Sequence, residues 1–240
     1  MARLGKMVNK HIKSEFLQEE KQVKIYLPET FDNLYETKCC FMQDGDDYFQ
    51  MGRVATLSDN LHENGTIQNT VFIGIHYEDR HDRLKKYHPS GDEYENYQRF
   101  LIEEVLPMVE DIVPINPLGI EHSLMGDSLA GTFAIVTALQ YPGYFNQIII
   151  QSPLIDDTVS SVIKAAAKQH LSIYHSIGLN ETAVYTTEKE EVDFVQPNKV
   201  ISKYLKENFS DYTFAEIPAG NHTWKYWQEE LPEVLEDMFG

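Results

Sequence analysis

Apolar residues in this chain occur in two kinds of run, alternating and unbroken. Their order along the sequence sketches a sheet with helices on both sides. Residues 11–17 alternate roughly, and residues 22–27 set Val23, Ile25 and Leu27 between polar neighbours. A period of two marks a strand with one wet face, and two such segments this close can pair as a hairpin at a sheet edge. Residues 39–42 and 71–75 are unbroken apolar runs, as expected of strands buried on both faces. A helix-like segment, 53–62, lies between them. The clearest helical period spans 93–112, with Tyr97, Leu101, Val105, Met108 and Ile112 on one face and Pro107 placed to kink or break it. Strand-like 120–125 and helix-like 132–139 follow, then strand 148–151 and a helix near 158–168. Strand 171–177, helix 198–209, strand 212–217 and a last helix from about 223 complete the chain.

Strands that alternate with helices pair in parallel through right-handed crossovers. The prediction is a three-layer α/β sandwich, mostly parallel, led by an antiparallel N-terminal strand pair. Without repeats, low-complexity tracts or linker-like stretches, residues 1–240 read as a single domain.

That order matters because open parallel sheets build their sites beyond the carboxyl ends of the strands. Beyond 120–125 stands Gly126-Asp127-Ser128-Leu129-Ala130-Gly131, opening the next helix. A strand, a sharp Gly-x-Ser-x turn and a helix form the context of a nucleophile elbow, whose serine sits at strained backbone angles between small neighbours. Alanine holds the place of the usual second glycine, which is displaced by one to Gly131. An ordinary helix-capping serine is the plainer interpretation. Beyond 171–177 comes Gly178-Leu179-Asn180-Glu181, and beyond 212–217 comes Pro218-Ala219-Gly220-Asn221-His222. Nucleophile, acid and histidine thus end three strands in the chain order that α/β hydrolases use.

Serine needs an adjacent base, and His222 is the candidate. Glu181 is the candidate acid to orient the imidazole, with Asp193 as the alternative. The oxyanion formed on attack needs preorganised donors, each contributing about 3–4 kcal/mol. The N–H of Leu129 should be one, and the N–H of Asp46, in the loop after 39–42, the second, with Gly45 allowing close approach. Arg80 and Arg83, expected in the loop after 71–75, are candidate contacts for an anionic or polar acyl group. Trp224 is a candidate substrate platform, although it and Trp227 read more simply as packing that positions His222. His62, His170 and His175 read as surface or core residues.

Composition narrows the partners. A formal net charge of −18 over 240 residues opposes binding to nucleic acid or an anionic membrane. No apolar run reaches membrane-spanning length, and the basic N-terminus lacks the apolar stretch of a secretory signal, so a cytoplasmic location is expected. Cys39 and Cys40 are neighbours on one strand, pointing to opposite faces, and read as core residues rather than a disulfide. Asp44-Gly45-Asp46-Asp47 has its glycine at the wrong offset for a calcium loop. No metal or organic cofactor is called for.

Several motifs together resemble the esterase D-like family of α/β hydrolases, particularly its branch of enterochelin-type siderophore esterases and their bacillary relatives. They are Phe41-Met42-Gln43-Asp44-Gly45, Val71-Phe72-Ile73-Gly74-Ile75 followed by Arg80 and Arg83, and Phe100-Leu101-Ile102-Glu103-Glu104-Val105-Leu106-Pro107. The Gly126–Gly131 turn, Tyr144-Phe145, Gln151-Ser152-Pro153 and Gly220-Asn221-His222-Thr223-Trp224-Lys225-Tyr226-Trp227 complete the set. The resemblance implies Ser128 as nucleophile, His222 as base and Glu181 as acid in the family's Gly-x-x-acid turn. Lys86 departs from it, standing where relatives often carry an acid. The activity implied is hydrolysis of a small-molecule carboxylic ester, with a cytosolic siderophore trilactone as a narrower candidate. A non-catalytic binding module on the same fold is the alternative from another class.

Overall fold

The computed structural model describes residues 4–113, 119–186 and 189–240. Eight strands form one sheet: β1 (Lys6–Lys13), β2 (Glu20–Leu27), β3 (Thr37–Gln43), β4 (Thr70–Ile75), β5 (Ile120–Asp127), β6 (Gln147–Gln151), β7 (Ser172–Gly178) and β10 (Tyr212–Ile217). A separate hairpin, β8 (Val184–Tyr185) with β9 (Glu191–Val192), is inserted after β7. The sheet order is β1-β2-β4-β3-β5-β6-β7-β10. β1 pairs antiparallel with β2 and β2 with β4, and every pair from β4 onward is parallel.

Helices cover both faces. Against one lie α3 (Arg80–Tyr87), α4 (Tyr94–Arg99), α5 (Leu106–Ile112), α6 (Ser128–Gln140), α7 (Asp157–Ala165) and α8 (Val195–Asn208), around a core that includes Phe41, Phe100, Phe133 and Ile150. Against the other lie α1 (Gly45–Gln50), α2 (Val54–Glu63) and α9 (Trp224–Phe239), packed on Cys40, Phe72, Met125 and Ile149. Consecutive strand residues therefore feed different layers, and the free thiols of Cys39 and Cys40 are buried in opposite ones. This is the α/β-hydrolase fold.

Three elements depart from the hydropathy pattern. The first strand lies at Lys6–Lys13 rather than 11–17. It is an edge strand with no fully buried residue, exposed at Lys6, Asn9, His11 and Lys13, so its place is set by the ladder from Lys6↔Leu27 to Lys13↔Glu20. Arg80 and Arg83 stand on α3 rather than in a loop, its N-terminus capped by Asp79, whose carboxylate accepts from the N–H groups of His81 and Asp82. The long 93–112 period is continuous but passes through a π-helical segment, Phe100–Val105, where Leu106 N–H reaches Leu101. Pro107, just beyond it, has no N–H to donate. Among the described residues no helix is long and apolar enough to cross a membrane.

Candidate active site

The turn after β5 gives the site its shape. Ser128 begins α6 at φ 52°. A non-glycine residue there is strained and is held only where its surroundings leave no alternative. Gly126 supplies the room, since a Cβ on it would fall 2.4 Å from the carbonyl of Ala130. Ala130 is buried in the core, which explains why alanine suffices at that place.

Two further turns converge on Ser128. Gly178 and Gly220 pack backbone to backbone, and a Cβ on Gly220 would lie 2.6 Å from the Gly178 Cα. The hydrogen bonds Leu179 N–H to Ile217 and Asn180 N–H to Gly220 then tie the turn after β7 to the turn after β10. That contact delivers Glu181 to His222. The His222 Nδ1 lies 2.7 Å from Glu181 Oε2, and its Nε2 lies 2.9 Å from Ser128 Oγ. With the proton on Nδ1, the ring donates to the carboxylate and accepts from the hydroxyl. Serine, imidazole and acid are thereby linked in the order that nucleophilic serine chemistry uses.

The acid is held from behind as well. Its Oε1 accepts from Gly178 N–H at 3.0 Å and from Ser152 Oγ at 2.7 Å. Ser152, itself at φ 47°, accepts in turn from Trp227 Nε1 at 3.2 Å. Phe194 and Trp227 flank the imidazole, with ring centroids 4.5 and 5.0 Å away. Asp193, the alternative acid, instead caps α8 by accepting from the N–H groups of Val195 and Gln196. Trp224 lies against Tyr48 and Trp227 in edge contacts and does not line the cavity at Ser128.

That cavity, about 360 Å³, is lined by Ser128, Leu129, His222, Leu84, Leu154 and Phe194, among others, with the β8–β9 hairpin along one side. Arg83 reaches it; Arg80 and Asp46 do not line it. Asp46 pairs with Lys24 of β2 at 2.7 Å, and Gly45 makes its close approach to Gly74 of β4. A larger hollow, about 500 Å³, opens around Tyr35, His62 and Asn69, next to the amino ends of β3 and β4 and away from Ser128.

The match to the family described as "Putative esterase" runs over residues 14–238. The chain belongs to this family. Its relative "Uncharacterized protein YjcH" of Bacillus subtilis (strain 168) is 37% identical over 235 residues, covering 98% of each chain. Among solved structures, the enterochelin esterase of Shigella flexneri superposes with a TM-score of 0.81 at 18% identity, over 99% of this chain and 59% of that one. The BES protein of Bacillus cereus does so with a TM-score of 0.79 at 16% identity, over 100% and 97%. The chain thus spans 59% of the Shigella enzyme's length but nearly all of the Bacillus cereus protein. These likenesses carry the fold, and family membership carries the class: an esterase-type α/β hydrolase.

Two polar groups flank this site, and sequence reasoning, which offered Arg83 as a substrate contact, foresaw neither arrangement. On one side, the Arg83 guanidinium sits 2.5 Å from Asp44 and 4.0 Å from Asp127, and also donates to the Asp127 carbonyl. Burial alone would lower the pKa of Arg83, but Asp44 and then Asp127 raise it above its ordinary value. Burial, reinforced by Asp44, pushes the Asp127 carboxyl well above the usual carboxylate range despite Arg83. On the other side, Glu230 of α9 accepts from Ser176 Oγ at 2.8 Å, from Gln151 and from the Tyr174 hydroxyl. Burial moves it up to about 7 even so. Arg83 and Asp44 stand in motifs of the sequence, but their pairing depends on α3 packing beside the turn after β3, and Glu230 meets β6 and β7 only through the packing of α9.

Proposed function

We propose that the protein is a serine carboxylic-ester hydrolase. Ser128 Oγ attacks the ester carbonyl while His222 Nε2 takes its proton, and Glu181 stabilises the resulting imidazolium. The alkoxide leaves as the C–O bond breaks, protonated by His222, and an acyl-enzyme remains on Ser128. Water, giving its proton to His222, attacks the acyl carbon and releases the acid and free serine. The N–H of Leu129 at the start of α6 is the first oxyanion donor. A second donor would come from the turn after β3, where the N–H of Asp46 stands in the first turn of α1, outside the cavity's lining residues. This chemistry uses no cofactor.

The observation that carries the reading is the Ser128–His222–Glu181 hydrogen-bonded chain beside a cavity, in a chain of esterase family. The test is hydrolysis of simple aryl esters. Ser128→Ala should fold normally and lose at least about a thousandfold in kcat, within the range removed with a nucleophile. Undiminished turnover would end the assignment. The enterochelin esterases among the solved structures favour a second reading, hydrolysis of a siderophore trilactone. That reading makes its own demand on the cavity, because an iron-loaded catecholate complex is strongly anionic.

A further inference from the structure

Resting on the esterase reading, we infer that the cavity at Ser128 takes an uncharged, apolar acyl group and discriminates against anionic ones. Its walls near the nucleophile are aliphatic and aromatic: Leu84, Leu129, Leu154 and Phe194, with Val184 and Val192 from the hairpin. Arg83, the one lysine or arginine among its lining residues, is already spent. Its guanidinium is bound to Asp44 through both Nε and Nη2 and faces Asp127 behind that contact. Turning it toward a substrate carboxylate would leave Asp44, itself buried, without its cation, a change that costs more than a half-solvated new pair returns.

The remaining charged groups at the cavity point the other way. Asp156 lies between this cavity and the adjoining hollow, held by the α7 N-terminus and by His88 Nε2 at 3.0 Å. Glu190, at the hairpin, also lines the cavity, and no cation pairs with it among the described residues. The adjoining hollow carries Lys85 and His88 as well as Asp92 and Asp156, so mixed charge begins only beyond Leu84 and Leu154. The −18 net charge adds a background potential of the same sign as the cavity acids. An acyl group ending in a carboxylate would meet apolar wall first and like charge next, whereas a cationic end would meet Asp156 and Glu190 favourably.

Three phenyl esters of matched length and leaving group test this: the hexanoate, the monoester of adipic acid and the 6-(trimethylammonio)hexanoate. The kcat/KM of the neutral ester should exceed that of the anionic one by at least about tenfold, the order expected for like charges a few ångströms apart at a protein rim. The cationic ester should fall between them or above. Glu190→Gln should raise the adipate kcat/KM a few-fold relative to hexanoate, and added salt should narrow the wild-type gap. Equal rates for the neutral and anionic esters, or a faster adipate, would overturn the inference while leaving the esterase reading intact. Should none of the three esters be hydrolysed above the Ser128→Ala blank, the esterase reading itself fails and this inference with it.

Discussion

Ser128 stands between two carboxylate groups, one buried and one half-buried, that deal with lost solvent differently. On the α3 side, Asp44 and Asp127 share one guanidinium, which sits on Asp44 and leaves Asp127 holding its proton far above the usual range. On the α9 side, Glu230 has only uncharged donors, Gln151, Ser176 and Tyr174, and rises to about 7. Hydrogen bonds from neutral groups offset part of the lost hydration of a carboxylate, and a cation offsets much more. The first group fixes the loop and turn on which Ser128 sits, whereas the second backs β6 and β7, the strands that lead to Ser152 and Glu181. Ser176 of β7 and Gln151 of β6 both contact Glu230, and Ser152 next in chain contacts Glu181. One group is therefore a permanent brace and the other a titrating one.

The largest effect in this comparison should come from removing the brace. Arg83→Met leaves Asp44 buried without a cation and should cost about 3–5 kcal/mol, read as a fall in the urea midpoint. Arg83→Lys, which keeps the charge but not the two-nitrogen grip, should cost less. A midpoint unchanged in Arg83→Met would show that the two flanks do not differ as described.

Glu181→Gln separates chemistry from bracing. It keeps the shape and the hydrogen bonds to Gly178 N–H and Ser152 but cannot stabilise a charged His222. The expected loss is about 10²–10⁴ in kcat, with a urea midpoint near that of the wild type. A variant with full turnover would remove Glu181 from the mechanism.

The smaller effect is a pH dependence at Glu230. Its folded-state pKa, about 7, lies above the ordinary 4.5, so between those values the native protein holds a proton that the unfolded chain has released. Its contribution to stability is therefore complete below pH about 4.5 and is lost as pH rises through 7, by up to about 3 kcal/mol. Glu230→Gln should flatten that segment of the stability–pH curve and be the more stable protein at pH 8. An unchanged slope would mean that Glu230 is ionised throughout.

Much of the site could be read from the chain because it depends on strand ends. The order of apolar runs put Ser128, Glu181 and His222 at the ends of β5, β7 and β10, and Gly126 marked the tight turn before the serine, whereas the contact of Gly178 with Gly220 was not foreseen. What could not be read depends on tertiary contacts. α3 buries Lys86 and Tyr87 and half-buries Arg83, so its inner face is charged and shows no apolar period. α1 is six residues long, and β8 and β9 are two residues each, too short for any periodicity to register. Ser152 reaches Glu181 only because β6 lies beside β7, a neighbour relation that local sequence does not state. Asp193, the alternative to Glu181 in the sequence, instead accepts from the N–H groups that open α8, a turn contact that local sequence does not state.

The central claim is that Ser128 is a nucleophile activated by His222, and covalent labelling tests it most directly. A fluorophosphonate probe should add one phosphonyl group per chain with loss of fluoride, and peptide mass spectrometry should place it on Ser128. Ser128→Ala should remain unlabelled, and His222→Ala should label far more slowly. A wild-type protein that takes up no probe while folded, or a label that persists in Ser128→Ala, would contradict the account.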